Sequence, residues 1–324
     1  MSKRSWGWVA LSFALLLGRQ SWAAPDNVFK SADVFDLAWV ASPQISPDGR
    51  HVAYVRMTMD IKTDKAHPSI WLLDVNSGRD MPLANGDPAS GPRWSPDGRS
   101  IAFISSRSGK GELWLIPADG GEARQLTKMN GYISDFAWHP KGRRLVVAFT
   151  PQDPEVKERE ERRKKGEPGT DAPVVRAIDR ILFKLDGAGF LPKSRTHLWL
   201  VDAETGKAKP LTEGETHDEG EPCFSPDGKW IYFSSNRTPD PDLELMRIDL
   251  WRIPSKGGKI EKIRTFDGPS GMAAPSPDGK WLAFVGKRAA NEPWNLRHDK
   301  LWVVPATGGR PLELTERLDR GGGD

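Results

Sequence analysis

The sequence predicts an all-β fold made of repeated four-stranded antiparallel units, because three features recur together along the chain. They are a turn tetrapeptide, an apolar run directly after it, and a tryptophan-bearing strand further on. The tetrapeptide is Ser-Pro-Asp-Gly in four copies and His-Pro-Lys-Gly in a fifth, and the copies begin at Ser46, Ser95, His139, Ser225 and Ser276. Proline presets such a turn, aspartate bonds back to the backbone, and glycine adopts the left-handed conformation that closes it. Each copy is therefore expected to join two antiparallel strands, with the serine hydroxyl holding the turn.

The run after each turn is apolar on both faces of the strand that it would form. After the second turn, Ile101 and Phe103 lie on one face and Ala102 and Ile104 on the other. The same holds in three further runs, 145–149, 230–233 and 281–285. A strand that is apolar on both faces is packed between two layers. The runs therefore indicate strands buried between neighbouring units.

A third strand type carries a tryptophan in every unit, at Trp71, Trp114, Trp199, Trp251 and Trp302. Each leads through a glycine-containing turn into a short last strand, and we expect the tryptophan rings to be buried. Four strands per unit, with 44 to 51 residues between most of the turns, are typical of β-propeller blades. We predict five blades within residues 41–316, in units at about 41–83, 91–127, 134 onward, 221–266 and 272–315. An open ring of five would leave one face of each terminal blade uncovered.

The N-terminus has the pattern of a secretory signal peptide over residues 1–23. A basic head at Lys3 and Arg4 precedes an apolar run at 8–17 and a small-x-small cleavage site at Ser21-Trp22-Ala23. The run is too short to span a bilayer, so we expect export to the periplasm or secretion, with no membrane span once the leader is removed. Residues 24–40 form a lead-in segment, in which Ser31 is expected to cap a short helix through Leu37. Residues 317–324 form a tail without a structural signal.

The charge balance argues against a nucleic-acid partner. The chain has 47 lysines and arginines and 44 acids, a formal charge of +3. Lys3, Arg4 and Arg19 all lie in the leader, which has no acid, so the mature chain is formally neutral and lacks the basic excess of a nucleic-acid surface.

The histidines and the cysteine carry no chemical signal of their own. The six histidines have no metal-ligand spacing, and no metal or cofactor is predicted. We interpret His217-Asp218-Glu219 as a solvated loop and the single cysteine, Cys223, as a buried structural thiol.

An insertion at about 150–196 separates the two halves of the third unit. Its first part, 155–165, is predicted to be a solvated helix with four i,i+4 ion pairs: Glu155–Arg159, Glu158–Arg162, Glu160–Lys164 and Glu161–Lys165. Its second part, 180–185, is predicted to be a strand that turns at Asp186-Gly187. Helical spacing of Ile178, Ile181 and Leu185 leaves a helix as the alternative for this second part.

Three stretches carry a resemblance to a known family, at 38–49, 175–190 and 234–237. They resemble the prolyl oligopeptidase family of serine peptidases, in its acylaminoacyl-peptidase and dipeptidyl-peptidase-like branch. The resemblance implies a seven-bladed propeller that precedes an α/β-hydrolase domain with a Ser-Asp-His triad. Here five blades are predicted and no Gly-x-Ser-x-Gly motif occurs, so no catalytic residue is assigned. We expect a propeller piece that is inactive by itself and meets its peptide substrate together with a hydrolase domain.

Arg176 and Arg180 are the candidate substrate-binding residues. They lie in the insertion, on one side of an extended segment, where guanidinium forks can meet a peptide carboxylate or carbonyl in the complete enzyme. Surface salt bridges to nearby acids are the alternative interpretation. Glu160 and Glu161 lie in a charge-paired helix and are interpreted as solvated. The alternative function is a non-enzymatic periplasmic propeller that binds envelope proteins, as in the Tol system; the short distance from leader to first blade argues against it.

Overall fold

The computed structural model describes residues 28–84, 88–170, 175–186, 189–288 and 298–318. The predicted leader, the start of the lead-in segment and most of the tail lie outside the described residues. Within them the chain forms five four-stranded sheets and one two-stranded hairpin, and all strand pairs are antiparallel. In every four-stranded sheet the strands neighbour each other in chain order. The all-β prediction and the four-stranded units are confirmed.

A short 3-10 helix, Ser31–Asp36, precedes the first blade. Its first turn is held by Asp33, whose carboxylate accepts the Lys30 backbone N–H at 2.8 Å, so the expected cap by Ser31 is wrong. Blade 1 consists of β1 (Ala38–Ile45), β2 (His51–Asp60), β3 (Lys65–Asp74) and β4 (Asp80–Ala84). Blade 2 consists of β5 (Ala89–Trp94), β6 (Ser100–Ser105), β7 (Glu112–Pro117) and β8 (Arg124–Gln125).

Blade 3 is interrupted by the insertion, which contains an α-helix and the two-stranded hairpin. The first half of the blade and the insertion contain β9 (Gly131–Trp138), β10 (Arg144–Pro151), α1 (Pro154–Lys164), β11 (Lys184–Leu185) and β12 (Gly189–Phe190). The second half contains β13 (His197–Asp202) and β14 (Ala208–Pro210). Blade 4 consists of β15 (Glu219–Phe224), β16 (Trp230–Ser235), β17 (Asp249–Pro254) and β18 (Glu261–Lys262). Blade 5 consists of β19 (Ser270–Pro275), β20 (Trp281–Gly286), β21 (Lys300–Pro305) and β22 (Leu312–Glu313).

The repeated tetrapeptide forms the same hydrogen-bonded turn in four blades. The Ser46 hydroxyl donates to Asp48 at 2.6 Å and accepts the backbone N–H of His51 at 2.9 Å. The hydroxyl-to-carboxylate bond recurs at 2.6 Å in the turns that begin at Ser95, Ser225 and Ser276. The serine therefore joins the turn to the start of the second strand, as its position predicts.

The fifth copy of the turn uses an imidazole in place of the serine hydroxyl. Nδ1 of His139 accepts the backbone N–H of Lys141 at 3.1 Å. The ring also fills the space against the next blade, because a Cβ built on Gly228 would lie 2.4 Å from its Nε2 atom. Glycine is required at position 228 for two reasons: its φ is +71°, and a side chain there would clash with the His139 ring.

The apolar core is divided into four layers, each between two successive blades. Phe103 packs with Ile70 between blades 1 and 2, whereas Ala102, on the other face of β6, packs with Leu145 between blades 2 and 3. Two further layers lie between blades 3 and 4 and between blades 4 and 5. The second strands of blades 2, 3 and 4 are thus buried on both faces, as their continuous apolar runs predict, whereas those of blades 1 and 5, including the run 281–285, have a packed layer on one face only.

The tryptophans of the third strands are buried less completely than expected. Trp302 is 1% exposed, but Trp71, Trp114, Trp199 and Trp251 are half-buried. In four blades an arginine covers the ring, and the guanidinium-to-ring distances are 4.7 Å for Arg56–Trp71, 4.8 Å for Arg107–Trp114, 5.5 Å for Arg237–Trp251 and 4.7 Å for Arg288–Trp302. In blade 3 the ring of Phe149 meets Trp199 edge-on at 5.5 Å instead. Trp71, Trp114 and Trp251 therefore lie at the edge of their layers, under a cation.

Cys223 fits its predicted role as a structural thiol. Its Sγ atom donates to the backbone carbonyl of Ala273, in the next blade, at 3.0 Å. Burial raises the pKa of the thiol to about 12, so the nucleophilic thiolate is not formed near neutral pH.

Replacing Trp302 with alanine should lower the free energy of unfolding by about 3–5 kcal/mol, because the ring is buried in full. The same change at Trp114 should lower it by less than about 3 kcal/mol, because that ring is only partly buried. Urea unfolding of both variants measures the difference. Trp39→Ala, in a side chain that is 45% exposed, is the matched control. Equal losses at Trp302 and Trp39 would contradict the layered packing.

Candidate functional site

The insertion in blade 3 is closed at its base by one carboxylate. Asp153 accepts the backbone N–H groups of Lys193 and Ser194 at 3.0 and 2.9 Å, and the Ser194 hydroxyl at 2.9 Å. Burial acts to raise the pKa of Asp153, but these hydrogen bonds outweigh it and the pKa is lowered. The ionised carboxylate therefore ties the first residues of the insertion to its last ones, about 40 positions later.

Helix α1 exists as predicted and has no buried residue, but its charged side chains bond outside the expected pairs. Arg162 donates to Glu167 at 2.7 Å rather than to Glu158. Glu160 forms an ion pair at 3.6 Å with Lys110, in the loop between β6 and β7 of blade 2. Contacts to neighbouring loops are thus preferred to pairs within the helix, each of which contributes only about 0.3–0.5 kcal/mol.

The predicted strand at 180–185 is shorter in the structure. Only Lys184–Leu185 pairs, with Gly189–Phe190, and residues 180 and 181 form a bend. The predicted turn partly lies outside the described residues, since residues 187 and 188 are not among them. The hairpin carries Phe190, over which the Arg176 guanidinium lies at 4.4 Å from the ring centre.

The hairpin, helix α1 and the adjoining loops of blades 2 to 4 enclose a cavity of about 1050 Å³. Both candidate arginines, Arg176 and Arg180, line it. Its apolar wall includes Tyr132 and Phe190, which are 61% and 48% exposed. The cavity combines cations with exposed aromatic rings, a combination suited to peptides and other ligands that carry a carboxylate beside an apolar group.

Arg180 is held in a fork by an acid from another blade. Its Nε and Nη2 atoms donate to the two carboxylate oxygens of Asp242 at 2.9 and 2.8 Å, and both side chains are largely buried. The hydrogen bond and charge of Arg180 lower the pKa of Asp242. The salt-bridge interpretation thus describes Arg180, which fixes the insertion on blade 4. Arg176 is exposed and stacked on Phe190, so it is the arginine of the two that is presented to the cavity.

Further ion pairs extend this attachment toward blade 4. Arg195 donates to Asp218 at 3.0 Å and lies 3.9 Å from Asp242. Asp218 also accepts the backbone N–H of Thr196 at 2.7 Å. Arg195, at the end of the insertion, therefore links Asp218 to Asp242, and Arg180 binds Asp242 as well.

A buried polar network lies beneath this attachment, and sequence reasoning missed it. Glu219, placed in a solvated loop from the sequence, begins β15 and is 2% exposed. Its carboxylate bonds to Nδ1 of His197 at 2.7 Å, to the Thr212 hydroxyl at 2.9 Å and to the Arg237 guanidinium. The correction has a physical reason: a strand that starts a new blade lies under the loops of its neighbour, so its first residue is covered.

The pKa of His197 is raised within this network. Burial acts to lower it, but the hydrogen bond and negative charge of Glu219 outweigh that effect, and the Gly214 carbonyl, 2.9 Å from Nε2, adds to the rise. The imidazolium form therefore fits the site, since both ring nitrogens face acceptors.

Two negative findings concern the described residues alone. No helix in this part of the chain is long and apolar enough to cross a membrane. No three or more histidine, cysteine, aspartate or glutamate side chains in it are grouped as a metal site would require.

The fold and the cavity define the chain as a β-propeller with four-stranded blades and one elaborated blade. The sequence family described as the TolB beta propeller domain matches residues 33–152. The chain is 36% identical over 213 residues to the uncharacterized peptidase YuxL of Bacillus subtilis, which covers 65% of this chain and 31% of YuxL. It is 25% identical over 263 residues to dipeptidyl-peptidase 5 of Porphyromonas endodontalis, with 76% of this chain and 37% of that protein covered.

A solved structure shows the same fold. The acylaminoacyl peptidase of Pyrococcus horikoshii superposes with a TM-score of 0.64 at 20% identity, covering 89% of this chain and 41% of that one. The chain therefore spans about a third of the curated relatives that it matches. Together these findings support a propeller similar to those of prolyl oligopeptidase family peptidases, the family that the sequence resembles.

The charged state of His197 should make stability depend on pH. Because its folded pKa is raised, its stabilising effect is complete below the unfolded value of about 6.5 and is lost as the pH rises through the folded pKa. The unfolding free energy of the wild type should therefore exceed that of His197→Gln most at low pH, and the gap should narrow above about pH 6.5. Urea unfolding of both proteins across this range tests the effect.

The matched control is His139→Asn. Burial lowers the pKa of His139, so its contribution has the opposite sign and is lost as the pH falls. A gap between wild type and His197→Gln that widens with rising pH would contradict the assigned network.

Proposed function

We propose that this chain is the propeller of an exported serine peptidase that acts on short peptides, where it controls access to a hydrolase domain. The cavity under the blade 3 insertion supports the proposal, because it presents Arg176 and two aromatic rings on one face of the ring. Relatives named peptidase and dipeptidyl-peptidase support the same class of activity. The apolar core of residues 8–17 within a leader pattern supports export.

The small volume of the cavity supports access control. A folded protein cannot enter a cavity of about 1050 Å³, whereas an extended peptide of a few residues can. Selection by access then adds to selection by pocket contacts.

The role of Arg176 is to bind a carboxylate or carbonyl of the peptide. Its guanidinium is stacked on Phe190, which restricts its motion and leaves its N–H groups directed to a carboxylate or carbonyl. Arg180 acts indirectly, because its ion pair with Asp242 positions the hairpin that carries Phe190.

A second function stays open because the matching family is described as the TolB beta propeller domain. In this alternative the chain binds a protein partner and performs no chemistry. The alternative predicts that the protein made from its complete coding sequence shows no peptidase activity.

The test uses the protein expressed from its complete coding sequence. It should react with a fluorophosphonate probe, which labels activated serines, and should cleave short blocked peptides faster than folded proteins. Absence of both labelling and cleavage would contradict the peptidase proposal. Equal rates on short peptides and on a folded protein would contradict access control.

In that enzyme, Arg176→Ala should raise KM about tenfold with little change in kcat, because a charge-assisted hydrogen bond to the bound peptide is lost. Steady-state kinetics with one short peptide measure KM and kcat separately. Arg50→Ala, in the exposed turn of blade 1, is the matched control and should leave both constants unchanged.

Arg180→Ala and Asp242→Ala should have similar effects to each other, because each opens the same fork. If Arg176→Ala and Arg180→Ala both leave KM and kcat at wild-type values, the cavity does not bind the substrate.

A further inference from the structure

A second groove lies at the opposite end of the blades from the insertion. In every blade the turn between the third and fourth strands hydrogen-bonds to the turn between the first and second, as in Ala203 N–H to the Arg143 carbonyl at 3.2 Å. These two turns therefore share one end, and the insertion leaves blade 3 from the other. Between blades 3 and 4 this end contains a groove of about 560 Å³, bounded by turns at 139–144, 227–230 and 254–256.

The groove is lined by five cations and one carboxylate. The cations are Lys141, Arg143, Arg144, Lys229 and Lys256, and the acid is Asp227. All six of these side chains belong to exposed residues. In the described part of the chain, Lys141, Arg143, Arg144 and Lys256 form no ion pair within 4.0 Å.

The excess of positive charge arises because the turn of blade 3 differs in sequence from the equivalent turns of the other blades. Each of the other four turns carries one acid and, two residues later, one base, as in Asp97 and Arg99. In blade 3 the acid position is Lys141, and Arg143 is followed by a second arginine, Arg144. The turn thus bears three bases and no acid, where its equivalents are balanced. Like charges placed together in this way repel each other unless an anion lies between them.

Two carboxylates near the groove, Asp227 and Asp202, are hydrogen-bonded within their own turns, and Asp227 also forms an ion pair with Lys229 at 3.3 Å. Asp227 accepts the Ser225 hydroxyl at 2.6 Å and the Lys229 backbone N–H at 3.0 Å, which lower its pKa to about 2. Asp202, whose pKa Arg144 helps to lower, accepts the backbone N–H of Thr205 at 2.8 Å. Both acids are ionised and offset part of the positive charge, but five cations line the groove, so an excess of positive charge remains.

The floor of the groove is rigid and partly aromatic. It includes the His139 ring and Trp230, and the latter is covered on one side by the Arg252 guanidinium at 4.2 Å. Arg252 is itself fixed by Glu261 at 2.7 Å. Because Nδ1 of His139 accepts the Lys141 N–H, its proton lies on Nε2, and the ring holds the Lys141 turn in place.

We propose that this groove binds a compact multivalent phosphate anion. A phosphate group carries about 1.5 to 2 negative charges near neutral pH, so one or two of them match the cation density, which single carboxylates do not. Arg143 and Arg144 supply planar forks suited to phosphate oxygens, and the lysines supply point charges. The site is independent of the peptidase proposal, since it uses the other end of the blades.

The first experiment titrates the chain with inorganic tripolyphosphate by isothermal calorimetry at low salt. One site per chain is expected, with an affinity that falls as sodium chloride is added. Lys141→Asp, which restores the acid of the other blades, and Arg144→Ser, which copies Ser100 of blade 2, should each weaken binding about tenfold. Lys280→Glu makes a matched charge change in the equivalent turn of blade 5 and should leave the affinity unchanged.

Three results would overturn the proposal: no binding at low salt, equal affinity of wild type and Lys141→Asp, or equal affinity for hexaglutamate, which would indicate an acidic peptide instead. Because the altered side chains are exposed, all variants should fold, and their unfolding curves verify this.

The source of the phosphate is distinguished by sedimentation with vesicles. Binding to phosphatidylglycerol vesicles but not to phosphatidylcholine vesicles, reversed by tripolyphosphate, assigns the site to a lipid headgroup. Calorimetric binding of tripolyphosphate without vesicle binding assigns it to free phosphate compounds.

Discussion

Burial of each blade by its neighbours is the constraint on which the rest of the structure depends. A four-stranded sheet with two apolar faces has no core of its own, so its middle strand is covered only when another blade lies on each side. Phe103 faces blade 1 and Ala102 faces blade 3 from one strand, and the same alternation recurs in β10. The register of every strand is fixed by this requirement, because a shift of one residue would exchange the two faces. Variation is consequently confined to the strand ends.

Hydrogen bonds and an ion pair near the first strands fix how neighbouring blades are oriented relative to each other. The indole N–H groups of Trp94 and Trp138 each donate to a carbonyl of the preceding blade, at 3.0 and 3.1 Å. Arg93 pairs with Asp135 across the next interface at 2.6 Å. Such bonds set the angle between neighbouring blades, which apolar contact alone leaves less defined. The loops at both ends are therefore carried at fixed positions, as a binding site requires.

The elements that could be predicted from the sequence are those determined by local chemistry. Ser95, Asp97 and Gly98 specify their turn within six residues, and the apolar run that follows specifies a strand buried on both sides. The attachment of the insertion could not be predicted, because Arg180 and Asp242 are 62 residues apart and no local pattern pairs them. Glu219 was misplaced for a related reason: its burial depends on the loops above it. The sequence offered one signal for the attachment of the insertion: the Pro- and Asp-rich loop at 238–242 contains acids that have no partner in the local sequence.

Blade 3 departs from the repeat at both of its ends, and the two departures have different physical origins. In blades 2 and 4 the second strand runs on to the arginine that covers the tryptophan of the blade. At the equivalent positions blade 3 has Thr150 and Pro151. There the chain leaves the sheet and forms the insertion that lines the cavity. At the other end, a histidine turn with three bases replaces a balanced serine turn. Neither change touches the middle strand, whose residues 145–149 keep both faces buried. Because the layers on either side of that strand are intact, the blade can carry the cavity at one end and the cationic groove at the other without loss of packing. The buried His197–Glu219–Arg237 network lies in the interface of blades 3 and 4, beneath the attachment of the insertion, so it supports the end of this interface that carries the cavity.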